Sequence, residues 1–236
     1  MNKLSIVIPI FNEEKNIIKL FKKLKKINLN NIDFKKEIIA IDDGSIDKSL
    51  SILKKISGIK VLKQNNYGKG KAVQYGIKKS SGNYVIIQDG DLEYDPKDII
   101  RMCKLLKNEN KISIYGSRYL PLNLNIFPKF YRNQNFSSYI ANIFFIFLFF
   151  IMYGKVITDP LTGYKLYEKK FFLKNKIKSN GFEADHEISA KLIKKKYKIK
   201  EVPITYKPRT AQEGKKINFF DAIKAIVTIT KFRFFN

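Results

Sequence analysis

The stretch Val85-Ile86-Ile87-Gln88-Asp89-Gly90-Asp91-Leu92-Glu93-Tyr94-Asp95-Pro96 decides how the rest of the chain is read. The run Tyr84–Ile87 is aromatic and β-branched without polar alternation, which reads as a strand buried on both faces. It ends abruptly in Asp89 and Asp91, with Glu93 just beyond. In an extended segment, residues at i, i+2 and i+4 point to one side. Three carboxylates on one side repel each other unless a cation sits among them. Mg²⁺ characteristically takes one or two carboxylates together with substrate phosphates. The spacing therefore points to a metal site for a diphosphate-bearing substrate. The same residues also fit an acidic turn before a helix, with Asp95 as N-cap and Pro96 at the first helical position. The two readings are compatible, because the cap uses Asp95 and leaves Asp89, Asp91 and Glu93 available.

Leu4–Phe11, Glu37–Ile41, Ile59–Leu62 and Ile112–Gly116 read as further strands. Helical spacing predicts helices from Asn12, as cap, to about Ile27, from Ser45 to about Ile56, from Gly68 to about Lys79, and over Lys97–Leu106. Strands alternating with helices argue for βαβ units, an α/β chain with a mostly parallel sheet. Such sheets bind ligands beyond the carboxyl ends of their strands. Pro9–Glu13, Asp42-Asp43 and Asp89–Asp91 all fall at such ends, so they are expected to converge on one cleft. Asp42-Asp43 reads either as an acceptor for a base or ribose or as an acidic turn complementing a helix dipole. Gly68-Lys69-Gly70-Lys71 either brings backbone N–H groups and a lysine to a phosphate or is a glycine-punctuated turn. It matches neither the P-loop nor the dinucleotide fingerprint, so neither an NTPase nor a dehydrogenase is indicated.

After Gly116-Ser117-Arg118-Tyr119 the pattern changes. Pro121–Pro128 is irregular, residues 133–154 carry no charge, and Ile140–Met152 is almost wholly apolar. That apolar core is about 13–15 residues, roughly 20–23 Å as helix, short of a ~30 Å hydrocarbon layer. A helix lying in the membrane interface is preferred, with a buried core helix as the alternative. Thr158–Lys165 reads as a turn into a strand, Glu183–Lys196 as a helix, and Ile199–Tyr206 as a strand. Pro208–Lys216 is a basic loop. Ile217–Phe235 is a last amphipathic helix, expected to carry Asp221, Lys224, Thr228 and Lys231 on one face. Phe220, Ile223, Ile226, Val227 and Phe232 would lie on the rest, and this helix too suits a membrane surface.

The 236 residues carry 46 Lys and Arg against 21 Asp and Glu, a formal charge of +25. This suits a polyanionic partner: nucleic acid, an anionic membrane or phosphorylated substrates. Most of the basic residues are lysines spread over helix faces, where a solvated surface explains them. Arginine is scarce, at Arg101, Arg118, Arg132, Arg209 and Arg233 only. In a chain that otherwise uses lysine, an arginine suggests that its bidentate fork is wanted. The single Cys103 excludes an intrachain disulfide and suits a reducing compartment. The single His186 excludes a His-rich metal site and argues against a Ser-His-Asp triad. Pro9 and Asn12-Glu13-Glu14 make the first apolar run a strand end and not a signal peptide.

With these residues in place, the chain resembles family 2 glycosyltransferases of GT-A fold. Within them it is most similar to the dolichyl-phosphate mannosyltransferase and polyprenyl-phosphate glucosyltransferase group. The resemblance covers nearly the whole chain. It runs, in order, through Ile8–Glu14, Ile41–Asp47, Gly68-Lys69-Gly70, Gln88–Pro96, Gly116-Ser117-Arg118, Thr158-Asp159 with Thr162–Lys165, Gly181-Phe182-Glu183, Glu201–Ile204 and Arg209 with Glu213–Lys216. Single motifs are modest, but the ordered set is specific. The metal motif here is Asp-Gly-Asp where Asp-Ala-Asp is commoner, and Glu93 stands where some relatives have Gln.

The resemblance implies one GT-A domain over residues 1–236, with a nucleotide-sugar half (1–120) and an acceptor and membrane-interface half (121–236). It implies that Pro9, Phe11, Glu13 and Asp42 hold the nucleotide base and ribose. Asp89, Asp91 and Glu93 would ligate Mg²⁺ or Mn²⁺. Arg118 and Arg132 would bind an acceptor lipid phosphate, and Arg209 and Lys215 would close over the diphosphate. Asp159 would orient acceptor or sugar, and Asp91, Asp159 and Arg118 would form the catalytic set. The expected reaction is an inverting transfer of a hexose, from a GDP-mannose or UDP-glucose type of donor, to a polyprenyl or dolichyl phosphate. The expected place is the cytoplasmic face of a membrane, peripherally. Extra transmembrane helices carried by some relatives are not expected, so attachment would rest on the two apolar helices, a partner subunit, or both. One alternative is a family 2 enzyme that glycosylates a saccharide hydroxyl, with Asp159 or Asp185 as the general base such an acceptor needs. The other is a basic nucleic-acid-binding module. Net charge is its only support, and no nucleic-acid partner is expected, because acidic clusters at the cleft would repel phosphates without metal.

Overall fold

The computed structural model describes residues 1–106, 110–120, 136–209 and 219–235. The first half of the chain alternates strictly. The elements are β1 (Asn2–Ile10), α1 (Ile17–Lys26), β2 (Phe34–Asp43), α2 (Ser49–Lys54), β3 (Lys60–Gln64), α3 (Lys69–Lys79), β4 (Tyr84–Ile87), α4 (Asp98–Lys104) and β5 (Ile112–Ser117). The surface helix α5 (Phe136–Tyr153) follows, then β6 (Lys165–Glu168), α6 (Lys169–Lys174), α7 (Ala184–Lys194), β7 (Lys198–Pro203) and α8 (Phe219–Phe234).

Among the described residues the strands form a seven-stranded sheet in the order β3-β2-β1-β4-β6-β5-β7. All neighbours are parallel except β6, which runs antiparallel to both β4 and β5. The sheet is mostly parallel, as read from the sequence, and β6 makes it mixed. Although α5 lies between β5 and β6 in the chain, β6 is entered from the carboxyl end of the sheet, through the Thr158–Tyr164 turn, and so runs back against its neighbours.

Side-chain alternation along β1 covers both faces. Leu4, Ile6, Ile8 and Ile10 enter one core, with Leu20, Phe21 and Leu24 of α1 and Ile99 and Met102 of α4. Val7 enters the other, with Ile39, Ile41, Val85 and Ile87 of neighbouring strands and Val73 and Ile77 of α3. A strand buried twice reads as a continuous apolar run, which is why β1, β2 and β4 were legible. After β1 the chain steps to β2 and β3 on one side, then returns to β4 on the other. The carboxyl ends of β1 and β4 thus flank the switch point where such sheets bind ligands.

Several helix starts differ from expectation. Asn12 does not cap α1; it has φ of 53° and braces the next loop, its Oδ1 accepting from the Ile46 amide at 2.9 Å. Ser45 does not open α2, because its hydroxyl accepts from the Asn12 amide at 3.0 Å. Ser49 accepts in the same way from the Glu13 amide at 2.8 Å. Both loops give up a helical turn to hold each other at the mouth of the cleft. Asp95 accepts from the Lys97 amide at 3.1 Å, one turn ahead of α4.

The faces of α8 also differ. Ala225, Thr228, Ile229 and Phe232 turn inward, whereas Phe220, Ile223, Val227 and Phe234 are exposed. The inward set follows i, i+3, i+4, i+7, and its small Ala225 and Thr228 let α8 close on α7 and α5.

Gly76 marks the closest approach of α3 to the sheet. A Cβ there would stand 2.5 Å from Val7 Cγ1 and 2.6 Å from Ile41 Cδ1, both in fully buried side chains. Gly76→Ala is expected to lower unfolding stability by about 1–3 kcal/mol despite its better helix propensity. Urea denaturation measures this; unchanged stability would mean that α3 can shift off the sheet freely.

Candidate active site

Four segments meet at the switch point: the end of β1, the end of β4, the start of α3 and the chain after β7. The turn before α3 is set by Asp43, whose carboxylate accepts from the amides of Tyr67 and Gly68, both at 3.0 Å, and from Gln64 Nε2 at 2.7 Å. Asp43 is therefore a turn residue. Gly68 has φ of 95°, and a Cβ there would lie 2.8 Å from the Asn180 carbonyl oxygen, so only glycine suits the bend. This bend delivers Lys69 into the cleft.

Lys69 Nζ lies 2.8 Å from Asp89 Oδ1 and 3.6 Å from Asp185 Oδ2. Burial works against its charge, but Asp89 and Asp185 together more than offset this and raise its pKa. Gly163 leaves room for the pair, since a Cβ there would stand 2.8 Å from Asp89 Oδ2 and 3.0 Å from Lys69 Nζ.

A second cation reaches in from the far side. Arg209 Nη2 pairs with Glu13 Oε2 at 2.7 Å, and its Nε donates to the Asp91 carbonyl at 3.1 Å. The Arg209 amide donates to Glu93 Oε1 at 2.9 Å. One residue thus ties β1 and the acidic motif to the segment after β7. Burial, then the neighbouring charges of Asp89 and Glu93, push Asp91 up to about 7, with Arg209 pulling the other way. Burial likewise raises Glu93, opposed by the Arg209 amide and by Arg118.

The acidic set is thus short of positive charge, and its all-oxygen chemistry fits a hard divalent cation. The three carboxylates do not form a ready cage, because Asp89 is on Lys69 and Glu93 is on the Arg209 amide. Among the described residues no group of three or more His, Cys, Asp or Glu side chains is arranged to hold a metal. The geometry suits a cation held by one or two carboxylates, with phosphate and water completing its shell.

Asp42, Pro9 and Phe11 lie on the β1–β2 side of the cleft. Asp42 is fully buried at the β2 end and pairs in register with Ile10. Its Oδ2 accepts from the Ser45 amide at 3.3 Å, and its Oδ1 has no hydrogen-bond partner among the described residues. Pro9 and Phe11 are partly buried at the β1 end.

Arg118 follows β5 on the other side. Its Nε lies 2.7 Å from Asp159 Oδ2, its Nη2 lies 2.7 Å from Oδ1, and its amide donates to Oδ2 at 3.0 Å. Asp159 is fully buried. The guanidinium also stands 5.1 Å from the Tyr206 ring centroid and 5.3 Å from that of Tyr119. Burial opposes its charge, but Asp159 overrides this and raises its pKa. Asp159, expected to orient substrate, instead orients Arg118. Arg132 and Lys215 lie outside the described residues.

Lys69 belongs to the stretch read as bringing a lysine to a phosphate, whereas Lys165 was quoted in a motif without a role. Lys165 is fully buried; its Nζ lies 3.3 Å from Ser189 Oγ and 3.4 Å from the carbonyls of Pro160 and Asp185. Burial, with Lys69 and Arg118 nearby, lowers it to about 8 against the pull of Asp185 and Asp159. A lysine opening an apolar strand (Lys165-Leu166-Tyr167) was the available signal. His186 is buried too, stacked on Phe145 at 5.3 Å. Burial first, then Lys165, lowers it to about 3, so it packs as a neutral ring.

The sequence model of glycosyl transferase family 2 matches residues 5–174. A dolichol-phosphate mannosyltransferase of Pyrococcus furiosus is 30% identical over 225 residues, covering 90% of this chain and 59% of the relative. A UDP-N-acetylglucosamine–dolichyl-phosphate N-acetylglucosaminyltransferase of Methanococcus voltae is 26% identical over 221 residues, covering 84% of this chain and 83% of the relative. Among solved structures, a Mycobacterium tuberculosis glucosyl-3-phosphoglycerate synthase, in complex with Mn²⁺, UDP and phosphoglyceric acid, superposes with a TM-score of 0.73. It is 18% identical, and the match covers all of this chain and 80% of that one. The GT-A arrangement expected from the motifs is present, and the chain belongs to glycosyl transferase family 2.

Proposed function

We propose that this glycosyltransferase moves a hexose from a nucleoside-diphosphate sugar to a polyprenyl or dolichyl phosphate, with inversion, at a membrane surface. The carrying observation is the Arg118–Asp159 pair. A buried carboxylate held by three N–H groups of one arginine is not available as a general base. It does hold a guanidinium rigidly near the acidic cleft, where an acceptor phosphate would pair with it. A phosphate monoester is already anionic at neutral pH and needs no base, whereas a hydroxyl does. The other base candidate, Asp185, lies against Lys69. The names of the two archaeal relatives support a dolichyl-phosphate acceptor.

In this reading, a phosphate oxygen of the acceptor forms a bond to the anomeric carbon as the bond from that carbon to the donor diphosphate breaks. The electron pair leaves with the nucleoside diphosphate, and the carbon inverts. Glu13, Asp42, Pro9 and Phe11 seat the nucleoside. Asp89 and Asp91 would hold Mg²⁺ or Mn²⁺, with Glu93 beside them, and the bound ion would supply positive charge against the leaving diphosphate. Metals of both kinds are bound with UDP in solved structures of the synthase of like fold. Lys69 and Arg209 are the cations already at the cleft, placed to follow the diphosphate.

The membrane part rests on α5. Its 18 residues bury Asn142, Phe145 and Phe149 against the domain and leave Phe144, Phe147, Phe150 and Ile151 exposed. By length and composition it is long and apolar enough to cross a membrane. With its inner face docked on the domain, it suits lying in the interface, beside the bare Phe220, Ile223 and Val227 of α8. The excess of positive charge favours an anionic cytoplasmic leaflet.

Three outcomes test this. Chelation by EDTA should abolish transfer and Mn²⁺ or Mg²⁺ restore it, while Asp91→Asn stays folded and inactive; near-normal turnover of that variant would remove the metal assignment. Arg118→Ala should raise the acceptor KM at least tenfold and leave the donor KM within about twofold, as loss of a charged hydrogen bond predicts. Equal effects on both would place Arg118 in the fold alone. Replacing Phe144, Phe147 and Phe150 together by Gln should abolish flotation with anionic vesicles; unchanged flotation would move the membrane contact elsewhere.

A further inference from the structure

We infer that Asn142 is a positioning residue, through which the surface helix α5 sets the place of Arg118. Asn142 is the one polar residue of an otherwise apolar stretch, and it is 1% exposed. Asparagine is a poor helix former, and a buried amide is costly unless its hydrogen bonds are met. Here they are met only in part: Nδ2 donates to the Thr158 carbonyl at 3.0 Å, and Oδ1 is buried without a partner among the described residues. A leucine would fill this site without an orphaned oxygen. What the amide does is hold one carbonyl.

That carbonyl belongs to the peptide unit joining Thr158 to Asp159. The amide of the same unit, Asp159 N–H, donates to Glu201 Oε1 at 3.2 Å. The peptide plane is therefore pinned at both ends, by α5 on one side and β7 on the other. The preceding residue is pinned as well. Thr158 N donates to Glu201 at 2.9 Å, and its hydroxyl bonds Glu201 at 2.9 Å and Ser117 Oγ at 2.6 Å. A fixed plane fixes the direction in which the Asp159 side chain leaves the backbone, and that carboxylate holds Arg118 at three N–H groups. Glu201 and Ser117 belong to the sheet and do not move with α5. Asn142 is the link in this chain that does.

The inward-facing Phe145 and Phe149 lie on the same side of α5 as Asn142, and the bare aromatic residues lie opposite. Seating the outer face on lipid therefore holds the inner face against the Thr158–Asp159 plane. The acceptor arginine is steadied by the same contact that brings the enzyme to its acceptor. This functional part rests on the lipid-phosphate reading above; the mechanical link does not.

Asn142→Leu in the full chain tests both. Amide hydrogen exchange by NMR should quicken at Arg118 and Asp159 and stay unchanged along β1 and β4. The acceptor KM should rise about tenfold, the effect of one hydrogen bond, with donor KM and vesicle flotation unaltered. Unchanged exchange at Arg118 and Asp159 would overturn the link, as would donor and acceptor KM rising together. Should the leucine variant fail to fold, Asn142→Ala gives the same readouts without added bulk. If the wild type labels no lipid phosphate, the proposed function falls, and the exchange experiment still decides whether Asn142 sets Arg118.

Discussion

Glu13, Asp89, Asp91 and Glu93 crowd the ends of β1 and β4, and their mutual repulsion is the constraint around which the rest is built. Two unit charges about 4 Å apart interact by about 4 kcal/mol at an effective dielectric of 20. Carboxylates crowded into a half-buried cleft stay together only if cations are led in among them. Lys69 arrives from the start of α3 on a bend that Asp43 and Gly68 define. Arg209 arrives from the segment after β7 and joins Glu13 to the acidic motif. Even with both in place, burial and its neighbours leave Asp91 raised to about 7. The cleft is a negative site completed in part by its own lysine and arginine.

The Arg118 side of the cleft is built on the opposite plan, with one arginine over-determined by its surroundings. Arg118 carries its positive charge into a buried place because Asp159 accompanies it. Removing one member of such a pair typically costs about 3–5 kcal/mol, since the other is left uncompensated. Asp159 is in turn fixed through its peptide by Glu201 and Asn142. One side of the cleft thus shares two cations among several carboxylates, and the other fixes a single pair from several directions.

What was legible in the sequence follows from burial. β1, β2 and β4 are covered on both faces, so each is a continuous apolar run ending where polar residues begin, and the convergence of Pro9–Glu13, Asp42 and Asp89–Glu93 could be read directly. The direction of β6 could not, because an antiparallel insertion depends on the path of the preceding turn and not on the strand's own residues. The helix starts after β1 and β2 were misplaced because Asn12 and Ser45, good capping residues, bond each other's loops instead. Asp159 looked like a substrate-facing acid because no local pattern reports a partner 41 residues away. Asn142 was hidden in a hydropathy reading, which averages one amide into an apolar helix.

Under the proposed function, an anionic lipid phosphate, and not a hydroxyl, is the acceptor. Purified chain with Mn²⁺, short polyprenyl phosphate and a panel of labelled nucleotide sugars, including GDP-mannose and UDP-glucose, tests it most directly. Label is expected to pass into the organic phase from one donor, as a lipid-linked sugar phosphate of inverted configuration. Donor binding or slow hydrolysis with no labelled lipid, and label appearing instead on a saccharide hydroxyl, would contradict it.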